Sequence, residues 1–301
     1  MAAAEGIVVN SKGWSRVLAG ALALVLALSA TASAATLDRI AQSGVLRAGT
    51  RADAVPFAFL NDQGQLAGFS VDLLEEIRAA VEARLGRPVK LELSVVTPAN
   101  RLPLVADGKL DLVCEIATPT WAREATIDFS VPFFRDGTRI LAFRDTLRTT
   151  PSLKDMVVGV AEGTTTATIL EDALPGIVTR DYPTMDDAFA ALIKGEVQGV
   201  ANIGVILLGL SRKLEPNRSV VLLPRAAPLG NEAMACILPQ DDSAWRDLVN
   251  HAIMDLTQGL AEYRGRYMDI HHKWFGRDGV MVYPLDRSTR DYLLQSNIWA
   301  Q

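Results

Sequence analysis

Short apolar runs alternate with amphipathic stretches along most of the chain. Residues 44–49, 90–96 and 110–116 are apolar runs of strand length, and residues 101–106 form a short helical segment between the last two. Between the first two runs, apolar residues recur at the spacing of one helix face: Val71, Leu74, Ile77, Val81 and Leu85. This spacing matches the turn of an α-helix, so the first unit is predicted to have the order β-α-β-α-β.

The same order recurs at smaller size in the second half. Residues 156–160, 178–182 and 197–206 are predicted strands, with a helix between each pair. The second of these helices is predicted over residues 185–194, with Thr184 as its N-cap, since a threonine hydroxyl accepts hydrogen bonds from N–H groups at a helix start. Alternating strands and helices are typical of α/β proteins.

The C-terminal part adds a strand at 233–239 and one long amphipathic helix at 242–267. The simplest α/β arrangement is a discontinuous first lobe, a second lobe inserted within it, and two hinge strands between them. The predicted boundaries are residues 35–142 and 235–301 for the first lobe, 143–234 for the second, and strands near 139–143 and 233–237 for the hinge.

The first 34 residues differ from the rest. Lys12 and Arg16 precede an apolar run at 17–30, and Ala32-Ser33-Ala34 follows. A positive segment, a short apolar run and an A-x-A site are typical of a secretory signal peptide. The rival interpretation, a membrane anchor, needs roughly 20 apolar residues. We therefore expect export to the periplasm with residues 1–34 removed, and no later run reaches spanning length.

Composition and charge exclude several classes of function. The 301 residues carry a net charge of −5, so no basic excess exists to neutralise the phosphates of a nucleic acid. His251, His271 and His272 have no carboxylate or cysteine at ligand spacing, which argues against a metal site. No nucleophile-elbow, phosphate-loop or dinucleotide-binding motif occurs. We expect no metal, no cofactor and no catalytic residue.

The chain has two cysteines, Cys114 and Cys236, each within an apolar run of strand length. An oxidising compartment permits a disulfide between them. Two buried free thiols are the alternative, and we favour the disulfide.

Several residues are suited to binding an anion. Glu162-Gly163-Thr164-Thr165-Thr166 follows a strand and opens a helix, where free N–H groups and the helix dipole attract negative charge. Three arginines follow predicted strands, where ligands bind in open α/β sheets, and Thr118 lies near the last of them: Arg51, Arg101 and Arg123. Because arginine pairs bidentately with carboxylates, we expect a convergent anion site.

A set of motifs spread over essentially all of the chain after residue 34 resembles the family 3 periplasmic solute-binding proteins, and looks closest to their glutamate/aspartate-binding branch. The motifs are Gly49-Thr-Arg51, Val55-Pro56-Phe57, Gly68-Phe69-Ser70, Asn100-Arg101-x-Pro, Gly108-x-Leu-Asp111, Arg123-Glu124, Asp128-Phe129-Ser130, Gly163-Thr-Thr165 and Lys273-Trp274-Phe275. The resemblance implies a two-lobe periplasmic-binding-protein fold of type II. It also implies a monomer that closes over a small acidic solute and delivers it to the membrane permease of an ABC transporter.

The resemblance also implies roles for individual residues. Arg123 matches the clamp for the solute's α-carboxylate, helped by the helix start at Gly163, Thr164 and Thr165. Arg51 and Arg101 match the pair that holds the side-chain carboxylate in the acidic branch. Thr118 matches a hydrogen-bonding threonine that precedes the clamp.

Departures from the branch leave the solute open. Ile116 replaces a serine, Met185 aligns near a histidine, and the aspartate that receives the α-ammonium group falls at Ile203 or Gly204, beside Asn202. Either Glu115 or Glu162 substitutes for that aspartate, or the solute is an organic diacid without an amine. We expect glutamate or aspartate.

Two further functions compete with uptake. Some relatives of this fold resemble cyclohexadienyl dehydratases, in which Glu115 or Glu162 could serve as general acid with its pKa raised by an apolar cleft. The second competing function is that of a sensory binding protein without a permease. We expect a receptor rather than an enzyme.

Overall fold

A computed structural model describes residues 36–148 and 152–296. The predicted signal peptide lies outside the described residues. Within these two ranges, no helix combines the length and the apolar character needed to cross a membrane.

The described chain alternates strands and helices as the apolar pattern predicts. The helices are α1 Thr36–Ser43, α2 Phe69–Leu85, α3 Arg101–Ala106, α4 Trp121–Glu124, α5 Thr166–Ala173, α6 Met185–Lys194, α7 Gly204–Leu214, α8 Ser243–Leu256, α9 Arg266–Phe275 and α10 Arg287–Ser296. The strands are β1 Val45–Thr50, β2 Asp53–Ala54, β3 Ala58–Leu60, β4 Leu66–Ala67, β5 Lys90–Val95, β6 Leu112–Ala117, β7 Asp128–Phe129, β8 Phe134–Asp136, β9 Thr138–Phe143, β10 Val157–Ala161, β11 Val178–Tyr182, β12 Gly199–Ile203, β13 Val220–Leu223 and β14 Glu232–Leu238.

Two mixed sheets form the centres of two lobes. The first has the order β5-β1-β6-β14-β7, with β1 parallel to β5 and β6, and β14 antiparallel to β6. The second has the order β11-β10-β12-β9-β13, with β10 parallel to β11 and β12, and β9 antiparallel to β12. The α/β two-lobe fold is therefore confirmed.

The strand pairing bears on the predicted lobe boundaries without defining them. Strand β9, expected at the hinge, pairs entirely within the second sheet, whereas β14 pairs within the first. The chain thus returns to the first sheet at Glu232, three residues before the predicted boundary at 235. The lobe boundaries themselves stay a prediction.

The two lobes are in direct contact beside the cleft. Gly209 of α7, in the second lobe, lies so close to the first that a Cβ atom added to it would overlap the carbonyl oxygen of Val55. Only a glycine lets the backbones approach this closely. Hydrogen bonds from Arg123 to Gly163 and from Thr165 to Glu232 also join the lobes across the cleft, so their arrangement is closed.

Two predicted elements are wrong. The single helix over 242–267 is divided into α8, a short 3₁₀ turn at Leu260–Glu262 and the start of α9. Gly259 and Gly265 have φ angles of 81° and 91°, which a continuing right-handed helix does not contain. The predicted strand over 197–206 ends at Ile203, and its apolar continuation is the buried first turn of α7. Apolar runs buried on all sides do not distinguish a strand from a helix.

Candidate functional site

A narrow cleft lies between the lobes, at the carboxyl ends of the parallel strands of both sheets. Seven of its lining residues were predicted from the sequence: Arg51, Arg101, Thr118, Arg123, Thr164, Thr165 and Asn202. Five others complete it: Ile116, Thr166, Ile203, Glu232 and Met234. Strand ends from both sheets meet here because parallel strands direct their carboxyl ends to one edge.

Arg51 directly follows β1 and is fully buried. Its Nε and Nη2 atoms donate to Asp53 Oδ1 and Oδ2, each at 2.7 Å, which is the bidentate geometry of a strong guanidinium–carboxylate pair. Asp53 Oδ2 also accepts a 2.9 Å hydrogen bond from the backbone N–H of Met185, the first residue of α6. Asp53 therefore connects the first lobe to a helix start in the second.

The pKa of Asp53 reflects this environment. Burial alone would raise the pKa, but the charge and hydrogen bonds of Arg51 and the Met185 N–H lower it more, so the pKa lies below its ordinary value of 3.8. The carboxylate is thus stabilised in its charged form.

Arg101 and Glu115 form a second buried ion pair, from Nη1 to Oε1. Glu115 Oε2 lies 4.0 Å from Arg51 Nε, and Arg101 Nη2 donates to the Gly163 carbonyl oxygen at 3.4 Å. Burial, followed by the positive charges of Arg123 and Arg51, lowers the pKa of Arg101. Because a guanidinium still keeps its proton in proteins, the carboxylate of Glu115 serves as its counter-charge.

Arg123 has a different environment. Its Nη1 donates to the Thr118 carbonyl oxygen at 2.7 Å and its Nη2 to the Gly163 carbonyl oxygen at 3.0 Å. Burial lowers its pKa, and the negative charge of Glu232 opposes that shift. No carboxylate of the described residues lies at ion-pair distance, so Arg123 is held in place by neutral groups.

Glu232 is a buried carboxylate at the start of β14. Its Oε2 accepts hydrogen bonds from the hydroxyls of Thr118 and Thr165 at 2.8 and 2.5 Å. Its Oε1 accepts one from the hydroxyl of Thr138 at 2.5 Å. Within the described ranges it has no cationic partner at ion-pair distance. Hydroxyl donors from both lobes therefore hold a negative charge at the cleft without neutralising it.

The predicted helix start borders the cleft through Thr164 and Thr165. Gly163 has a φ of 72°, and its carbonyl oxygen accepts from Arg101 and Arg123. The hydroxyl of Thr164 donates to the Ala161 carbonyl oxygen at 2.7 Å. The hydroxyl of Thr165 donates to Glu232 and makes no capping hydrogen bond, so the first N–H groups of α5 have no side-chain cap.

Other predicted residues lie at or behind the cleft wall. Asn202 lines the cleft, and its Oδ1 accepts from the N–H of Ile203 at 2.8 Å. Met185 is buried and contributes its backbone N–H rather than its side chain. Glu162 is exposed and outside the lining. Glu115 does not line the cleft and pairs with Arg101 behind it.

Cys114 and Cys236 are joined by a disulfide in the structure. The two residues face each other across the antiparallel pair β6–β14. The bond therefore joins the strand that precedes Thr118 to the strand that begins with Glu232. No group of three or more His, Cys, Asp or Glu side chains able to hold a metal occurs in the part of the chain that the structure describes.

Sequence reasoning missed Asp53, Glu232 and Thr138. Asp53 lies two residues from Arg51, so a search for charge partners near each arginine could have found it. Glu232 begins an apolar strand, and a carboxylate at such a position is a recognisable signal. Thr138 is separated by 94 residues from Glu232 and has no local signal.

Comparison with known proteins agrees with the two-lobe α/β fold. Residues 46–277 match the family model described as bacterial extracellular solute-binding proteins, family 3. The glutamate/aspartate import solute-binding protein of Escherichia coli (strain K12) is 30% identical over 254 residues, 82% of each chain. A glutamine-binding protein of Geobacillus stearothermophilus is 28% identical over 189 residues, 62% of this chain and 71% of that protein. An ancestral amino-acid-binding protein, described as a precursor of cyclohexadienyl dehydratase, has a TM-score of 0.68 at 26% identity, covering 80% of this chain and 100% of that one.

Proposed function

The chain belongs to the bacterial extracellular solute-binding proteins of family 3, and on that premise we propose that it is the solute receptor of an ABC-type amino-acid uptake system. It acts in the periplasm as a monomer and presents its closed, loaded form to a membrane permease. Binding closes the two lobes about the hinge. The contacts of Arg123 and Glu232, which reach across from one lobe to the other, support this closure.

The observation that carries the proposal is a pair of opposite charges without ion-pair partners. Arg123 binds the carbonyl oxygen of Thr118, and Glu232 accepts from the hydroxyl of the same residue. We call Arg123 and Glu232 the unpaired charges. An α-amino acid is a zwitterion whose carboxylate and ammonium groups are two bonds apart. Its carboxylate complements Arg123, and its ammonium group complements Glu232.

Glu232 thus fills the role left open by Ile203 and Gly204. Sequence reasoning offered Glu115 or Glu162 as the substitute, but Glu115 is engaged by Arg101 and Glu162 is exposed. An amine-free diacid is the poorer solute, because it brings no cation to neutralise the buried carboxylate of Glu232.

The side chain of the solute has two candidates. An acidic group, as in glutamate or aspartate, is favoured by the name of the Escherichia coli relative and by the three arginines. A neutral group is favoured by the name of the glutamine-binding relative, whose sequence is 28% identical to this chain. The charge balance of the cleft separates these candidates.

Calorimetric titration of the purified protein tests the proposal. We expect an L-amino acid with a polar side chain to bind, and its analogue without the α-amino group (glutarate for L-glutamate, glutaramate for L-glutamine) to bind at least about tenfold more weakly, because Glu232 then has no cation. Glu232→Gln should reduce that preference, whereas Glu75→Gln, an exposed carboxylate on α2, should leave it unchanged. Equal affinity for the tightest-binding amino acid and for its own analogue without the α-amino group would contradict the proposal, as would turnover of prephenate or arogenate.

A further inference from the structure

Building on the proposed function, we propose that Asp53 and Glu115 act as built-in counter-charges for Arg51 and Arg101, so that the cleft selects a solute with an uncharged carboxamide side chain and rejects the corresponding carboxylate. We call Arg51 and Arg101 the paired arginines. The inference departs from the expectation that these two arginines hold a second carboxylate of the solute.

Charge balance is the first support. The cleft region contains three guanidinium groups, Arg51, Arg101 and Arg123, and three carboxylates, Asp53, Glu115 and Glu232. These charges sum to zero, and a zwitterion with a neutral side chain adds none. Glutamate or aspartate would instead leave one net negative charge enclosed between the lobes, and an uncompensated buried charge is costly.

The Asp53 carboxylate is held too firmly to give way to a solute. It accepts two hydrogen bonds from Arg51 and a third from the Met185 N–H at the start of α6. The side-chain carboxylate of Asp53 is only 12% exposed and that of Glu115 only 1%. A solute carboxylate would have to displace these contacts or add to them, and both are unfavourable.

The unused hydrogen-bonding atoms are the third support. Arg51 Nη1 and Arg101 Nε are buried donors without a partner, and Glu115 Oε2 is a buried acceptor without a partner, all among the described residues. Both arginines line the cleft, and Glu115 Oε2 lies 4.0 Å from Arg51 Nε. A carboxamide offers an oxygen that accepts and an NH₂ that donates. A carboxylate offers acceptors only, so it donates to no group of the cleft and adds a negative charge to arginines that Asp53 and Glu115 already neutralise.

Competition calorimetry with the full-length mature protein tests the inference. L-glutamine or L-asparagine should bind at least about tenfold more tightly than L-glutamate and L-aspartate. Tighter binding of either acidic amino acid would overturn the inference while leaving the proposed function intact. Absence of binding by every L-amino acid would instead overturn the proposed function.

Two charge-removing variants give an independent readout. Glu115→Gln and Asp53→Asn keep the shape of each side chain but free one positive charge, so each should shift the amide-to-acid affinity ratio toward the acid by about tenfold. The matched controls are Glu75→Gln and Asp107→Asn, whose carboxylates are exposed. An unchanged ratio in a Glu115→Gln protein with a normal melting curve would overturn the role of Glu115. If a variant fails to fold, the amide-to-acid affinity ratio of the wild-type protein alone tests the inference.

Discussion

The paired arginines and the unpaired charges occupy one cleft but have opposite electrostatic designs. Arg51 and Arg101 each contact a carboxylate of the protein, whereas Arg123 contacts two carbonyl oxygens and Glu232 contacts three hydroxyls. Backbone carbonyls and hydroxyls orient a charge without neutralising it. A charge oriented in this way remains available to a solute, while a paired charge is already compensated.

The difference teaches that the number of arginines in a cleft does not measure its affinity for anions. Three arginines suggest a site for a dicarboxylate, yet two of them have their counter-charges within the fold. Removal of a paired arginine should therefore affect mainly stability, and removal of an unpaired charge should affect mainly binding.

The largest expected effect is the loss of unfolding free energy when one of the paired arginines is removed. Arg51→Ala leaves Asp53 buried without its cation, so the free energy of unfolding should fall by about 3–5 kcal/mol, measured by urea denaturation without ligand. The double variant Arg51→Ala/Asp53→Ala should be more stable than Arg51→Ala alone, because no unpaired charge remains. A single variant as stable as the wild type would show that the pair is not a structural unit.

The next effect is on binding at the unpaired charges. Arg123→Ala removes the cation expected to hold the α-carboxylate, so affinity for the preferred amino acid should fall by about 100-fold or more, measured by calorimetry. The urea midpoint should change little, since Arg123 contacts no carboxylate. Arg84→Ala, an exposed position in the last turn of α2, is the matched control. An unchanged affinity of the Arg123→Ala protein would refute the role of Arg123 in holding the α-carboxylate.

The smallest expected effect is a pH dependence of stability. The folded-state pKa of Asp53 is lowered from 3.8, so its contribution is complete above the unfolded-state pKa and is lost as pH falls through the folded-state pKa. The unfolding free energy of the wild type should therefore decrease more steeply below about pH 3.8 than that of Asp53→Asn. Parallel curves for the two proteins would contradict the lowered pKa.

Local sequence predicted much of the fold because its signals are short-range. Thr184 accepts from the N–H of Asp187 and Gly195 ends α6 with a φ of 74°, as capping rules require. The prediction of one long helix over 242–267 was wrong for a local reason too, because Gly259 and Gly265 interrupt an otherwise periodic pattern. The sequence-based prediction gave more weight to the helical spacing of the apolar residues than to these two glycines.

The sequence predicted many of the residues that line the cleft, but not which of them form ion pairs or hydrogen bonds with each other. The three arginines follow β1, β5 and β6, and strand order alone brings such positions to one edge. The partners of these arginines were not predicted, because Glu115 contacts Arg101 across 14 residues and the three threonine donors lie 67 to 114 residues from Glu232. The Arg101–Glu115 contact depends on how α3 packs against β6 within the first lobe, and the contacts of Thr138 and Thr165 with Glu232 depend on how the two lobes meet.

The sequence by itself determined that this chain has two α/β units whose strand ends carry arginines and threonines, because strand and helix patterns are set by neighbours within a few residues. Only the tertiary structure decided which charges are compensated. Asp53 reaches the start of α6 and Glu232 reaches Thr165 only when the second lobe lies against the first. Whether an arginine remains free to bind a solute depends on where the nearest carboxylate lies in space, and for Arg51 and Arg101 the packing within the first lobe sets that distance.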